Sequence, residues 1–257
     1  QLVRAGFMEA WLPDHVKKGP PQYFDPKGYW ASTNFFVLAP GFNTEVVKKG
    51  TEPRTYEALL DPKYKGKMAW SSRASASSAV GFVGHALTQM GEQAGMEYLR
   101  KLATQGVINV DASARQVLDQ VIAGEYALAL QIFNHHAGIS AAQGAPVDWI
   151  PMNPALGVMS VAYVTQDAPH PNAGRLLLDF LGSDEGQRVY READYMPTNP
   201  SVEPKNPKLR PDGDKFRAIY MTPEETDEQM PKWAQVYKDE RRRCLRQKLL
   251  GDFLSDG

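Results

Sequence analysis

The chain has 257 residues, of which 42% are hydrophobic, 23% charged and 10% aromatic, a composition that excludes the disordered, collagen-like and membrane classes and suits one large domain or two lobes. With 29 basic and 30 acidic side chains the net charge is -1, so the chain lacks a basic field for nucleic acid, and we expect no such partner. No apolar run reaches the about 18 residues of a membrane span, and the single cysteine, Cys244, excludes a disulfide framework.

The predicted elements alternate between strands and helices. Apolar runs closed by turn residues predict strands at 35–39, 68–70, 126–133, 147–152 and 158–165. Apolar residues at helical spacing, with their caps, predict the end of a helix at 2–11, a helix start capped by Asn43 and Thr44, and further helices near 80–90, 96–103, 117–122, after His170 and after Ser183. Gly91 is the predicted stop of the helix near 80–90. The last predicted helix begins near Glu224, and its buried stripe is expected to be Trp233, Val236 and Tyr237. This alternation indicates a mostly parallel sheet.

The clearest candidate for chemistry is a serine-rich loop that follows the strand at 68–70 and enters a helix. The free N–H groups and the positive dipole end of a first helical turn attract anions, and the hydroxyls of Ser75, Ser77 and Ser78 add donors. Arg73 lies in the same loop, where its fork of donors suits a carboxylate or a phosphate. The alternative is that one serine caps the helix while the others, and Arg73, are solvated.

A second candidate is Asn134-His135-His136, which follows an apolar strand at the carboxyl end, where open α/β sheets bind ligands. Both histidines reach one ligand only if the strand has ended there, because neighbouring side chains on a strand point to opposite faces. Neutral imidazoles bind metals and protonated ones bind anions; alternatively, one histidine is packed and the other exposed. Arg115, near the start of a helix, is either a ligand clamp or a capping partner of Asp111.

No catalytic signature occurs in the sequence: it lacks the G-x-S-x-G elbow, the phosphate loop ending in GK[ST], H-E-x-x-H and G-x-G-x-x-G. The remaining histidines, His15, His85 and His170, are isolated, and we interpret them as structural. These absences do not exclude catalysis by themselves, and they gain weight from the resemblance described next; no cofactor is expected.

Four segments carry a resemblance to a known family: GFNT at 41–44, PRTYEALLDPKYKGKMAW at 53–70, IAGEYALAL at 122–130 and APHPNAGRLLLDFLGSDEGQ at 168–187. From about residue 5 to residue 237 the chain resembles the extracellular solute-binding proteins of the ferric-iron-type ABC importer family. The resemblance implies a type II periplasmic-binding-protein-like α/β fold of two lobes with mixed sheets. It also implies hinge closure on a ligand, a periplasmic or membrane-tethered location, an ABC permease as partner, a monomeric state and no catalysis.

The resemblance also implies a division of the chain. Lobe 1 is expected at 1–38 and 158–215, and lobe 2 at 39–157 and 216–257, with hinge strands at 35–39 and 158–165. Family members carry a further N-terminal portion of the first lobe before the segment that resembles the start of this chain, so lobe 1 is expected to be incomplete at its N-terminus.

The site can be placed by the same resemblance. Residues 71–79 fall where the family has an anion-binding Ser-Gly-Ser-like loop, and Asn134-His135-His136 falls where iron-binding members have Asn followed by two tyrosines. Imidazole suits softer metals than ferric ion, so this departure argues against ferric binding. Together with Arg73 and Arg115, it predicts a small phosphorylated or carboxylated anion as the ligand.

Other functions stay open at this point. A metal-binding protein of the same family would use His135 and His136, with Tyr195 as a candidate ligand from the other lobe. Two alternatives belong to other classes of protein. One is an enzyme on the same fold, for example a relative of porphobilinogen deaminase, and the other is a detached sensory domain.

Overall fold

The computed structural model describes residues 2–211 and 215–255, with side chains described as far as Arg242. The chain divides into two compact units. The first unit comprises Gln1–Val37 and Leu156–Asp227, and the second comprises Leu38–Ala155 and Glu228–Gly257. The assignment of functional lobes to 1–38 with 158–215 and to 39–157 with 216–257 stays a prediction.

Helices and strands are interleaved along the chain, as the sequence predicts. The helices are α1 (Asp14–Lys17), α2 (Ala79–Met90), α3 (Glu92–Ala103), α4 (Ala114–Ile122), α5 (Asn134–Ala142), α6 (Pro171–Gly182), α7 (Asp184–Glu192) and α8 (Pro223–Ser255). The strands are β1 (Ala31–Asn43), β2 (Met68–Ser71), β3 (Ile108–Val110), β4 (Leu128–Phe133), β5 (Val147–Trp149), β6 (Ala155–Ala162), β7 (Met196–Pro197) and β8 (Ala218–Tyr220).

The sheet of the second unit is mixed. Its strands run in the order β3-β2-β4-β1, and β5 also pairs with β1. Strand β2 is parallel to β3 and to β4, whereas β1 is antiparallel to β4 and β5. The expected mostly parallel sheet therefore holds only for β3, β2 and β4. The reason is that β1 enters this unit as one continuous strand, without the helical crossover that makes successive strands parallel.

Helix α4 packs on this sheet around a core in which every side chain is nearly or fully excluded from solvent. The core consists of Ala69, Val117, Leu118, Val121, Ala129, Ile132, Ala137 and Val147. Helix α8 closes on α2, with Trp233 and Tyr237 buried and Val236 half-buried, as the predicted apolar stripe requires. The second unit thus holds β2, β3 and β4 rigidly against helices, which fixes the positions of their carboxyl ends.

In the first unit, β1 pairs with β7 through Asn34 and Pro197, and β6 and β8 follow on the other side of β1. A buried amide ties these elements together. The Gln187 Nε2 atom donates to the Thr33 carbonyl at 2.7 Å, and its Oε1 atom accepts from the Thr198 N–H at 2.7 Å. The side chain is fully buried, so its polar atoms depend on these partners.

Two predicted helices are wrong. Residues 2–11 form turns, with Gly6 at a φ of +74°, and an isolated bridge from Met8 to Thr165; pairing with this neighbouring segment takes the backbone groups that a helix would need. Asn43 does not begin a helix either. Its Oδ1 atom accepts from the Glu45 N–H at 2.8 Å and closes a turn at the end of β1.

The other caps behave as predicted. The Ser183 Oγ atom accepts from the Gly186 N–H at 3.2 Å and begins α7, and Gly91, at a φ of +79°, ends α2. The tail from Asp239 continues as helix α8 to Ser255, and the side chain of Cys244 lies outside the described residues. Within 2–211 and 215–255, no helix has both the length and the apolar character that crossing a lipid bilayer requires.

Candidate functional site

Three polar segments lie at one edge of the second unit's sheet. Because β3, β2 and β4 are parallel neighbours, their carboxyl ends share this edge, where open α/β sheets bind ligands. The serine-rich loop 72–78 follows β2 and leads to α2, residues 111–113 follow β3 and lead to α4, and α5 follows β4 directly. We call residues 71–80, 111–115 and 131–136 the strand-end site.

The start of the serine loop is tied to the neighbouring segment. The Ser71 hydroxyl donates to the Ala112 carbonyl at 2.6 Å and accepts from the Arg73 N–H at 3.3 Å. The Ser72 N–H donates to the Val110 carbonyl at 2.9 Å. These contacts fix residues 71–73 beside the end of β3.

The three predicted serines have different roles. Ser78 is fully buried and is the N-cap of α2: its Oγ atom accepts from the Val80 N–H at 3.2 Å and donates to the Ser75 carbonyl at 2.6 Å. Its hydroxyl is thus engaged within the loop, as in the alternative interpretation that one serine caps the helix; a ligand contact by Ser78 stays a prediction. The hydroxyls of Ser75 and Ser77 lie 3.3 Å apart on half-buried side chains, which leaves them near solvent.

A buried glutamine that sequence analysis missed holds the centre of the loop. The Gln131 Nε2 atom, on β4, donates to the Ala76 carbonyl at 3.2 Å, and its side chain is only 4% exposed. The same carbonyl lies against Gly81, where an added β-carbon would come 1.7 Å from the oxygen. The signal for Gln131 was a lone amide inside the apolar run ALALQIF, since a buried amide needs a polar partner.

The two predicted arginines differ in their surroundings. Arg73 is largely exposed at the strand-end site, with its Nε atom 3.7 Å from the Asp111 carboxylate. Arg115 instead links α4 to α5, because its guanidinium donates to the His136 carbonyl at 3.3 Å, the Ser140 hydroxyl at 2.9 Å and the Asp119 carboxylate at 2.8 Å. Asp111 pairs with Arg73, and Ser113 caps α4 through a capping box with Gln116.

The segment Asn134-His135-His136 forms the first turn of α5. Strand β4 therefore ends before the two histidines, which is the condition for both of them to reach one ligand. Their ring centroids lie 4.2 Å apart. Asn134 and His135 are buried and His136 is half-buried. The N-cap residue of α5 is Phe133, in extended backbone conformation, and its side chain makes no capping hydrogen bond.

His135 and His136 are neutral at physiological pH. Burial, followed by the neighbouring His136 and the Arg115 guanidinium, lowers the pKa of His135 to about 3. Burial, followed by the charge of Arg115, also lowers the pKa of His136. A neutral imidazole offers one N–H donor and one lone pair, so these rings can meet an anion as hydrogen-bond donors or a metal as nitrogen ligands, but not as cations.

Tyr195 lies in the first unit, whereas the other predicted site residues lie in the second. It immediately precedes β7, and its ring contacts Phe36 edge to face at a centroid distance of 5.5 Å. Its N–H donates to the Tyr190 carbonyl at 3.0 Å. A ligand role for Tyr195 stays a prediction.

One of the isolated histidines is packed inside the second unit. His85 is buried in α2 with Nε2 3.1 Å from the Pro154 carbonyl, and burial lowers its pKa to about 4, which fits the structural role predicted for it. Across the described part of the chain, no group of three His, Cys, Asp or Glu side chains has a geometry that would hold a metal ion.

Solved structures share this architecture. Iron-bound HitA from Pseudomonas aeruginosa superposes with a TM-score of 0.76 at 18% identity, covering 93% of this chain and 78% of HitA. AfuA from Actinobacillus pleuropneumoniae, solved with exogenous fructose-6-phosphate, gives a TM-score of 0.69 at 23% identity, covering 96% of this chain and 77% of AfuA. The fold is therefore that of the type II periplasmic binding proteins, as expected.

Sequence comparison defines the family. The model of the family described as bacterial extracellular solute-binding protein matches residues 1–219, and the chain belongs to this family. A periplasmic protein of Salmonella typhimurium named for 2-aminoethylphosphonate binding is 28% identical over 177 residues, which is 64% of this chain and 50% of that protein. The chain thus spans about half the length of the curated relatives that it matches.

Proposed function

We propose that the protein captures a small phosphorylated or carboxylated anion for an ABC-type importer. The observation that carries the proposal is the strand-end site: a pre-formed serine loop and the N-terminal end of α5 lie at the same edge of the sheet. Helix starts and hydroxyl donors stabilise oxyanions without any metal.

Charge and exposure support the same conclusion. Arg73 is the cation of this edge that remains largely exposed, whereas Arg115 already donates to three acceptors of its own unit. The hydroxyls of Ser75 and Ser77 lie near solvent beside it. A ligand with two or three oxygens can accept from the loop and from Arg73 together, and charge-assisted hydrogen bonds are the stronger kind.

The compounds associated with two similar proteins support an oxyanion as the solute. The Salmonella protein is named for an aminoethylphosphonate, and AfuA was solved with fructose-6-phosphate. Both compounds carry phosphorus with several anionic oxygens. We propose the same group for the solute of this protein.

The mechanism that we propose is capture rather than catalysis. The solute binds the strand-end site, the predicted lobes close over it, and the closed form delivers it to a membrane permease. In this proposal the protein works as a monomer in the periplasm, or outside the cell while tethered to the membrane.

Metal uptake is the second candidate function. Two neutral imidazoles 4.2 Å apart are suitable nitrogen ligands for a divalent ion. They would need further ligands, for which Tyr195 is the candidate. This function predicts metal binding that is lost in both His135→Ala and His136→Ala.

A thermal-shift screen followed by calorimetric titration separates the two functions. The panel contains inorganic phosphate, 2-aminoethylphosphonate, sugar phosphates, small carboxylates, and ferric and divalent ions. A solute at one hundred times its Kd stabilises the folded state by about 2.7 kcal/mol, and the melting temperature rises accordingly. Stabilisation by an oxyanion supports the proposal, and stabilisation by metal ions alone contradicts it.

Arginine variants make the test specific. Arg73→Ala is expected to weaken oxyanion binding. Arg100→Ala is the matched control, because Arg100 is also partly exposed in the second unit, where its Nε atom lies 3.6 Å from a carboxylate oxygen of Glu240. Equal affinity loss in both variants would point to general electrostatics instead of a site.

A further inference from the structure

The serine loop has two consecutive carbonyls that point into the protein. The Ser75 carbonyl accepts from the Ser78 hydroxyl at 2.6 Å. The next carbonyl, of Ala76, accepts from Gln131 at 3.2 Å and lies where an added β-carbon of Gly81 would come 1.7 Å from its oxygen. Both oxygens therefore have fixed inward directions.

The direction of these carbonyls determines the direction of the amides that follow. In a planar trans peptide, the N–H points opposite to the C=O of the preceding residue, and the peptides of this loop are trans. The N–H groups of Ala76 and Ser77 consequently point away from Ser78 and Gln131. Neither donates to another group within the described residues.

Consecutive backbone N–H groups that point outward form an anion-binding concavity. Beside them lie the hydroxyls of Ser75 and Ser77. We propose that Gln131 is the positioning residue of this anion site: by holding the Ala76 carbonyl, its amide keeps the Ala76 and Ser77 N–H groups directed at the solute. This inference rests on the proposed function and adds the residue that sets the geometry of the site.

Gln131 is well placed for this role. It belongs to β4 between Leu130 and Ile132, both fully excluded from solvent, so its backbone is fixed by the sheet. Gly81 cooperates because the absence of a β-carbon lets the carbonyl approach within a distance that no other residue would allow. The loop is thus oriented before any ligand arrives, which reduces the entropic cost of binding.

The experiment compares two glutamines of the same unit. Gln131→Met keeps the length of the side chain but removes the donor, and Gln131→Glu keeps its shape while placing an acceptor against the Ala76 carbonyl. The matched control is Gln105→Met, because Gln105 is also buried and its Nε2 atom donates to the Leu60 carbonyl at 2.8 Å. Each variant is titrated calorimetrically with inorganic phosphate, and its melting temperature is measured separately.

Amide spectra supply a readout that packing alone would not change. In ¹⁵N-labelled wild-type protein, phosphate is expected to move the Ala76 and Ser77 amide signals. In both Gln131 variants phosphate affinity is expected to fall at least about tenfold, the loss that accompanies one misdirected charge-assisted hydrogen bond, and these two amides no longer respond. Gln105→Met is expected to lower the melting temperature without changing affinity.

The outcomes separate the two proposals. If wild-type protein binds neither phosphate nor the other anions of the panel, both the proposed function and the role of Gln131 are wrong. If it binds phosphate and the folded Gln131→Met protein binds equally well, or if Gln105→Met loses as much affinity, only the positioning role is wrong.

Discussion

The indole ring of Trp233 on α8 lies directly against the α-carbon of Gly84 on α2, where an added β-carbon would come within 2.1 Å of the ring. The two helices therefore approach as closely as backbone and an aromatic ring allow. This contact fixes α8 on the second unit, beside the helix whose first turn closes the serine loop.

Gly84→Ala is expected to destabilise the protein by about 1 to 3 kcal/mol, because the new methyl group forces Trp233 to move. Urea denaturation measures the change. Gly174→Ala in α6 is the control, since its β-carbon would lie at an ordinary 3.6 Å from the nearest atom of Val164; that variant is expected to gain about 0.5 to 1 kcal/mol from helix propensity. Destabilisation of similar size in both would contradict the packing argument.

Gln187→Leu is expected to destabilise the first unit by about 3 kcal/mol. The change removes the acceptor of the Thr198 N–H and the donors to the Thr33 and Leu181 carbonyls, and each buried group left without a partner costs about 1 to 3 kcal/mol. Gln235→Leu on the exposed face of α8 serves as the comparison and is expected to change the unfolding free energy by less than about 0.5 kcal/mol.

Stability is expected to fall as the pH decreases from about 6.5 toward 4. His85 has its folded-state pKa lowered to about 4 and His135 to about 3, below the value of about 6.5 in the unfolded chain. The unfolded chain therefore takes up protons first, so the contribution of each histidine is complete above pH 6.5 and is lost on acidification. The slope is at most about 1.4 kcal/mol per pH unit for each histidine.

Chemical denaturation at pH 7, 6 and 5 measures this loss. His85→Gln is expected to have a shallower pH dependence than wild type, because the amide does not titrate in this range. His170→Gln, which changes an exposed histidine, provides the control. An unchanged slope in His85→Gln would show that burial of His85 does not drive the acid sensitivity.

Arg115→Lys is expected to change mainly the stability of the protein, and Arg73→Lys mainly its affinity for phosphate. A lysine at position 115 cannot reach Ser140, Asp119 and the His136 carbonyl together, so the unfolding free energy falls by about 1 kcal/mol for this partly exposed residue, while phosphate affinity changes less than about threefold. Lysine at position 73 lowers affinity with little effect on stability. Calorimetric titration beside thermal denaturation distinguishes these results, and a large affinity loss at position 115 would make Arg115 a ligand contact.

Much of the fold follows from local sequence signals. Ser183 correctly marked the start of α7 and Gly91 the end of α2, because a cap depends only on nearby backbone groups. The family resemblance gave the α/β fold, which the solved structures confirm. The wrong helix prediction at residues 2–11 has a distant cause. This segment pairs with Thr165 and Val164, and no local sequence pattern indicates that pairing.

The placement of the candidate residues was predictable, whereas their contacts were not. The serine loop and Asn134-His135-His136 follow two parallel strands, as the sequence indicated, and therefore lie at one edge of the sheet; their binding role stays a prediction. The commitment of Arg115 to α5 depends on how two helices pack, and the role of Gln131 depends on a carbonyl in a loop 55 positions earlier in the chain. Side-chain partners at such separations are set by tertiary structure, which composition and periodicity do not contain.

Strand β1 belongs to both units, since residues up to Val37 lie in the first and those from Leu38 lie in the second. Each unit is also built from two separated stretches of chain: the first needs residues as late as Asp227, and the second needs Trp233. During synthesis neither unit can complete its core until the segment from Asp227 to Trp233 has left the ribosome. Strand β1 is therefore expected to lack its full set of partners until that segment emerges, and its unpaired edges can meanwhile pair with other chains.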